Sequence, residues 1–167
     1  NRQNTVCSPI VNCLLHNTSY EVYQEVGCLS TDGLTRRADI IVIDHQKDLD
    51  IVLDPTIHFK INEQQPLEVC REKQNVYEPC CDHLGKQYNI QTWKIIGLMF
   101  GARGTIPRNT LEILKNLKVS DKAIIAIVSS ILKSSLSIIT HHLYSLYFHI
   151  ISIIIFSFCL FKLFCMN

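Results

Sequence analysis

Arg36-Arg37-Ala38-Asp39-Ile40-Ile41-Val42-Ile43, followed after a polar gap by Asp50-Ile51-Val52-Leu53-Asp54-Pro55-Thr56, is the stretch that decides the fold. The apolar run 38–43 is too short for a comfortable helix and rich in β-branched side chains, so it predicts a buried strand. Gln46-Lys47-Asp48 has the polarity of a hairpin tip, and a partner strand is predicted over 50–59. Proline cannot donate to a ladder, so Pro55 predicts an edge position or a bulge. Each strand carries one acid among aliphatic residues, Asp39 at the start of the first and Asp54 inside the second. Paired strands would let the two acids converge.

Working outward, residues 20–26 alternate in a way that suits a strand with one buried face, and Ser30-Thr31-Asp32-Gly33 predicts the turn that follows. Upstream, Val6, Ile10, Val11, Leu14 and Leu15 have helical spacing over 4–17, which Pro9 interrupts or caps. Downstream, a helix is predicted from Pro66 to about Tyr77, stopped by Pro79. A strand follows over 93–100, closed by Gly101 and Gly104. Helical periodicity returns over 110–117 and 121–142, with Ser120 as a cap. Strands followed by helices on one core give an α/β or α+β class, and 167 residues allow one domain.

With 16 Lys and Arg against 15 Asp and Glu, the overall field does not draw the chain onto nucleic acid, so DNA affinity has to come from local patches. Eight cysteines in a chain without an export signal are expected as reduced thiols. Cys80, Cys81 and His83 lack the CxxC spacing of a zinc site, and no second pair completes four ligands. The chain begins at Asn1 and is expected to be the back end of a longer protein.

From Ser134 to Phe161 there is no Asp, Glu, Lys or Arg. About 20 such residues span a bilayer, so hydropathy predicts one apolar helix near 144–164, with Tyr144, Tyr147 and Lys162 as interface anchors.

Carboxylates on neighbouring strands suit Mg²⁺, a hard cation that prefers oxygen ligands and keeps waters. Lys73, one helix later, could orient the attacking water or neutralise a phosphate. Spacing alone favours Asp39 and Asp54 as residues that end strands or make turns, since two acids fifteen positions apart are a weak signal. The ordered segments Arg36 to Ile43, Val52-Leu53-Asp54-Pro55-Thr56, Glu72-Lys73-Gln74-Asn75-Val76-Tyr77, Phe100-Gly101-Ala102-Arg103-Gly104-Thr105-Ile106 and His142-Leu143-Tyr144 add to this. Together they resemble the restriction-like endonuclease region that follows the reverse transcriptase in R2-type non-LTR retrotransposons of arthropods.

The resemblance implies a restriction-endonuclease-like, PD-(D/E)XK α/β fold, a mixed sheet flanked by helices, with the C-terminal apolar helix added. It implies Asp39 and Asp54 as catalytic metal ligands for Mg²⁺ or Mn²⁺, and Lys73 as a catalytic lysine displaced onto the helix. Ala38 departs from the usual proline before the first acid, and Thr56 stands where a standard motif has its lysine. The implied partners are target DNA in the nucleus and, in the intact polyprotein, retrotransposon RNA and the reverse transcriptase.

Arg36 and Arg37 beside the first acid, and Arg103 in its Gly-rich loop, read either as phosphate-gripping, DNA-binding residues or as solvated turns. The expected organisation is a partial helix or linker over 1–19, the endonuclease over 20–143 and a transmembrane-like tail over 144–167. Two other functions compete with the endonuclease: an inactive transposon relic, and a small single-pass membrane protein anchored through 144–164. The tail's Ile, Phe, Leu, Ser and Cys are also what T-rich non-coding DNA encodes.

Overall fold

The two acid-bearing strands lie side by side. In the computed structural model, which describes residues 4–16, 19–44, 49–59 and 62–165 and the last helix's side chains as far as Tyr144, they are β2 (Thr35–Asp44) and β3 (Leu49–His58). They pair antiparallel from Ile40 opposite Leu53 to Asp44 opposite Leu49. The hairpin tip expected at 46–48 lies outside the described residues. β1 (Tyr20–Leu29) pairs antiparallel with β2, and β4 (Trp93–Gly101) runs parallel to β3. The sheet order is β1-β2-β3-β4.

β3 is therefore an inner strand, not the edge strand that Pro55 suggests. Pairing with β2 stops at Leu53, so at Pro55 only β4 lies alongside and no amide is demanded on the β2 side.

Helices cover both faces. On one side α1 (Asn4–Leu15), α4 (Arg108–Asn116) and the first turns of α5 (Asp121–Cys165) bury Val6, Ile10, Leu14, Leu114 and Ile127 against Ile40, Leu53 and Phe100. On the other, α2 (Gln65–Tyr77), a 3₁₀ turn (Glu78–Cys80) and α3 (Cys81–Tyr88) pack Tyr77, Cys80 and Leu84 onto Ile41, Val52 and Ile95. The architecture is mixed α/β with a C-terminal apolar helix.

Local chemistry fixes several boundaries. Asn62 Oδ1 accepts from Gln65 N at 2.7 Å, and Pro66 sits in the first turn of α2, where a missing amide costs nothing. Ser120 Oγ accepts from Ala123 N at 3.3 Å and caps α5.

Pro9 lies inside α1 without breaking it, because the stripe Val6-Ile10-Leu14 is buried. That burial makes the helix expected over 4–17 part of the core. Pro79 ends α2 but also starts the 3₁₀ turn that leads into α3, a helix the sequence reading leaves out.

Two compact units divide the chain, residues 1–132 and 133–167. α5 runs over Asp121–Cys165, 45 residues. In the first unit its residues Ile124, Ile127 and Ile131 are buried. In the second unit the helix exposes Leu136, Ile138, Ile139, Leu143 and Tyr144.

Candidate functional site

The β2–β3 ladder ends at Ile40 and Leu53, and Asp39 and Asp54 are the next residues on each strand. Asp54 shares the face of Val52, which packs under α2, and is only 3% exposed. Parity does not place Asp39 so simply. Ile40 packs on the α1 side of the sheet and Ala38 on the α2 side, although alternation would put both on one face. Val22 and Val26 on β1 show the same reversal. Between them Glu25, flanked by the pairs Gln24–Ile40 and Val26–Ala38, adopts φ 56°, a left-handed conformation costly for a side chain with a Cβ. The kink at Glu25 turns both strands over at the level of Asp39.

α2 brings two side chains to Asp54 from one helix face, at positions i and i+4. Lys73 Nζ lies 3.0 Å from Oδ1. The Tyr77 hydroxyl lies 2.9 Å from Oδ2 and also 2.9 Å from the backbone oxygen of Arg37 on β2. Buried Oδ1 has no hydrogen-bond partner despite the nearby ammonium. Lys73 therefore compensates its charge from outside the direction of a hydrogen bond.

Burial first, then the charge and hydrogen bond of Asp54 and the charge of Asp39, push the Tyr77 phenol well above its ordinary range. It stays a donor at any working pH. Asp39 is half-buried and acts on the same phenol, so both acids belong to the neighbourhood of Tyr77.

Gly97 of β4 is the register partner of Asp54. A Cβ there would stand 3.0 Å from Cys70 Cα and 3.0 Å from Lys73 Cγ. Its bare backbone is what lets α2 lie close enough for Lys73 to reach the acid.

The arginines are occupied. Arg37 pairs with Glu25, and Arg36 Nη2 is 3.5 Å from Asp32. The Arg37–Glu25 pair is exposed, and exposed pairs are weak enough, about 0–1 kcal/mol, to yield to a phosphate; Arg36 is half-buried, and its buried Nε has no hydrogen-bond partner. Arg103 is exposed in the loop after β4, beside Phe59 and Thr105. Ala102 N donates to His58 O at 2.8 Å, which fixes that loop to the end of β3 beyond Asp54. Glu72 is exposed, His58 Nε2 is 3.2 Å from Thr56 Oγ1, and His45 lies outside the described residues.

No family model matches the chain, and no curated protein matches it.

Among the described residues no three His, Cys, Asp or Glu side chains are gathered to hold a metal. Asp54 offers one buried oxygen without a directed partner, and Mg²⁺ takes as few as one or two protein carboxylates and keeps several waters.

Cys7 of α1 faces this group from the other side. Burial, and then the charges of Asp39, Asp54 and Glu25, push its thiol from 9.0 up to about 12. A neutral thiol is no nucleophile at physiological pH. Cys28, buried beside Cys80, is raised to about 12 as well.

Both thiols keep their protons in the folded chain at pH values where the unfolded chain has lost them. Their contribution to stability is thus complete below pH 9 and falls as pH rises from 9 toward 12. Urea midpoints should drop across that window, and Cys7→Ala should lessen the drop. A midpoint that stays flat there would count against the buried, acid-flanked thiol.

Tyr77, Cys7 and Gly97 are the members that sequence reasoning missed. Only Tyr77 carried a signal, its helical spacing from Lys73.

Proposed function

We propose that the chain carries a divalent-metal-dependent DNA endonuclease domain of the restriction-like, PD-(D/E)XK type, from an R2-type non-LTR retrotransposon polyprotein. In the intact polyprotein it would act on nuclear target DNA beside the reverse transcriptase and its RNA. The observation that carries the reading is the contact of Lys73, from the helix after β3, with buried Asp54 at 3.0 Å. A lysine displaced onto that helix is what the family resemblance implies. A mixed sheet flanked by helices is the matching architecture.

Asp39 and Asp54 would hold Mg²⁺ or Mn²⁺. Such an ion lowers the pKa of bound water and offsets charge on a phosphodiester. Lys73, 20% exposed at its side chain, reaches from the buried acid toward solvent and supplies positive charge where a phosphate would sit. Arg36, Arg37 and Arg103 would engage backbone phosphates, the first two by exchanging Asp32 and Glu25 for the nucleic acid.

The test is nicking of supercoiled plasmid by the folded chain with Mg²⁺ or Mn²⁺, and its loss on adding a chelator. If the folded chain cuts no DNA, including its element's own target, the inactive-relic reading replaces this one.

A membrane anchor is the second reading, favoured by one observation. Within Asp121–Tyr144, α5 has an 18-residue window of mean hydropathy 1.9 of which only 17% is buried, and it continues as helix to Cys165 through a segment without Asp, Glu, Lys or Arg as far as Phe161. A chain anchored in this way should stay with membranes through alkaline carbonate extraction. Recovery in the supernatant would remove the membrane reading and leave the nuclease reading untouched.

A further inference from the structure

The two acids lie just beyond the point where the β2–β3 ladder stops, so backbone pairing does not hold them at a fixed spacing. The kink at Glu25 adds to this by turning β2 over at the same level. Yet the separation of two carboxylates decides whether they share one ion. Something other than the ladder has to set it.

Tyr77 stands in that position. Its one hydroxyl lies 2.9 Å from the oxygen of Arg37, two residues before Asp39 on β2, and 2.9 Å from Oδ2 of Asp54 on β3. A phenol has one proton, so it donates to the carbonyl or to the carboxylate, or is shared between them. With both acceptors at 2.9 Å the proton is shared between them, and in that three-centre arrangement the hydroxyl spans the gap left by the ladder. Tyr77 is 4% exposed and anchored at the end of α2 against Cys80, Leu84 and Ile41. The bridge is therefore held by the packed core, not by a mobile side chain.

We infer that Tyr77 is a positioning residue that ties the Asp39 segment of β2 to Asp54 of β3 and so sets the spacing of the two metal-binding acids. Its role toward a metal rests on the endonuclease reading; the tie itself does not.

Tyr77→Phe removes the hydroxyl and keeps the ring. In the metal-free chain, amide hydrogen exchange should quicken at Ala38, Asp39, Ile40 and Asp54, at and beyond the last pair of the ladder, while Val42 and Val52, deeper in it, exchange as before. Mn²⁺ titration followed by electron paramagnetic resonance should show binding weakened about 10-fold, the loss typical of removing a group that orients a metal ligand. Should the variant be partly unfolded, both measurements are repeated in trimethylamine N-oxide, which favours the folded state.

Exchange that rises uniformly, or does not change at those four amides, would overturn the tie. Undiminished Mn²⁺ binding with local loosening would overturn its role in spacing the acids. Should the unsubstituted chain bind no Mn²⁺ while the local loosening appears, the endonuclease reading fails and the tie stands.

Discussion

Asp54→Asn should nick supercoiled DNA on the order of 10⁴–10⁶-fold more slowly than the unsubstituted chain, the range for removing one member of a group that acts as a unit. The replacement is nearly isosteric at a site 3% exposed, so packing under α2 is retained. What disappears is the negative charge that faces Lys73 Nζ at 3.0 Å and would hold the ion. Binding to duplex DNA should survive, because phosphate contacts from arginines do not depend on this carboxylate. Asp39→Asn should behave alike.

Lys73→Ala forms the contrast. It should slow nicking by about 10²-fold, the cost of losing one group that stabilises developing charge, with metal affinity nearly unchanged. The comparison is read from single-turnover nicking against Mn²⁺ concentration. If Asp54→Asn cuts as well as the unsubstituted chain, the assignment of metal ligands is wrong.

Gly97→Val should destabilise the fold by about 1–3 kcal/mol through overpacking, and it should slow nicking with it. The added Cβ alone would meet Cys70 Cα and Lys73 Cγ at 3.0 Å and Val69 O at 3.1 Å, tighter than ordinary contact. Two of these three atoms belong to backbone and yield only if α2 moves away from β4. Movement of α2 carries Lys73 and Tyr77 off Asp54, since both reach the acid from that helix. Urea denaturation gives the stability change, and the same preparation gives the nicking rate. A variant as stable and as active as the parent would mean that α2 does not need its close seat on β4.

Sequence legibility followed the range of the interaction. The four strands could be read from β-branched runs, and the ends of α2 and α5 from Pro66 and Ser120, because propensity and capping act between residues close in the chain. Lys73 was legible as a cation one helix after the acids, and the resemblance adds its place as a displaced catalytic lysine. Tyr77 was not read as a site residue, since its partners Arg37 and Asp54 are 40 and 23 positions away.

By itself, then, the sequence determined an acid on each of two adjacent strands, a mixed α/β order of elements and a long apolar C-terminal helix. Those features rest on local periodicity and composition. Tertiary structure decided that β3 is interior, that α1 belongs to the core, and that a kink at Glu25 turns the Asp39 end of β2 over. It also decided that a glycine on β4 seats α2 so that Lys73 and Tyr77 meet Asp54. Each of those outcomes depends on which surfaces are buried against one another, and a β-strand's alternation or a helix's spacing says which face is apolar without saying what will cover it.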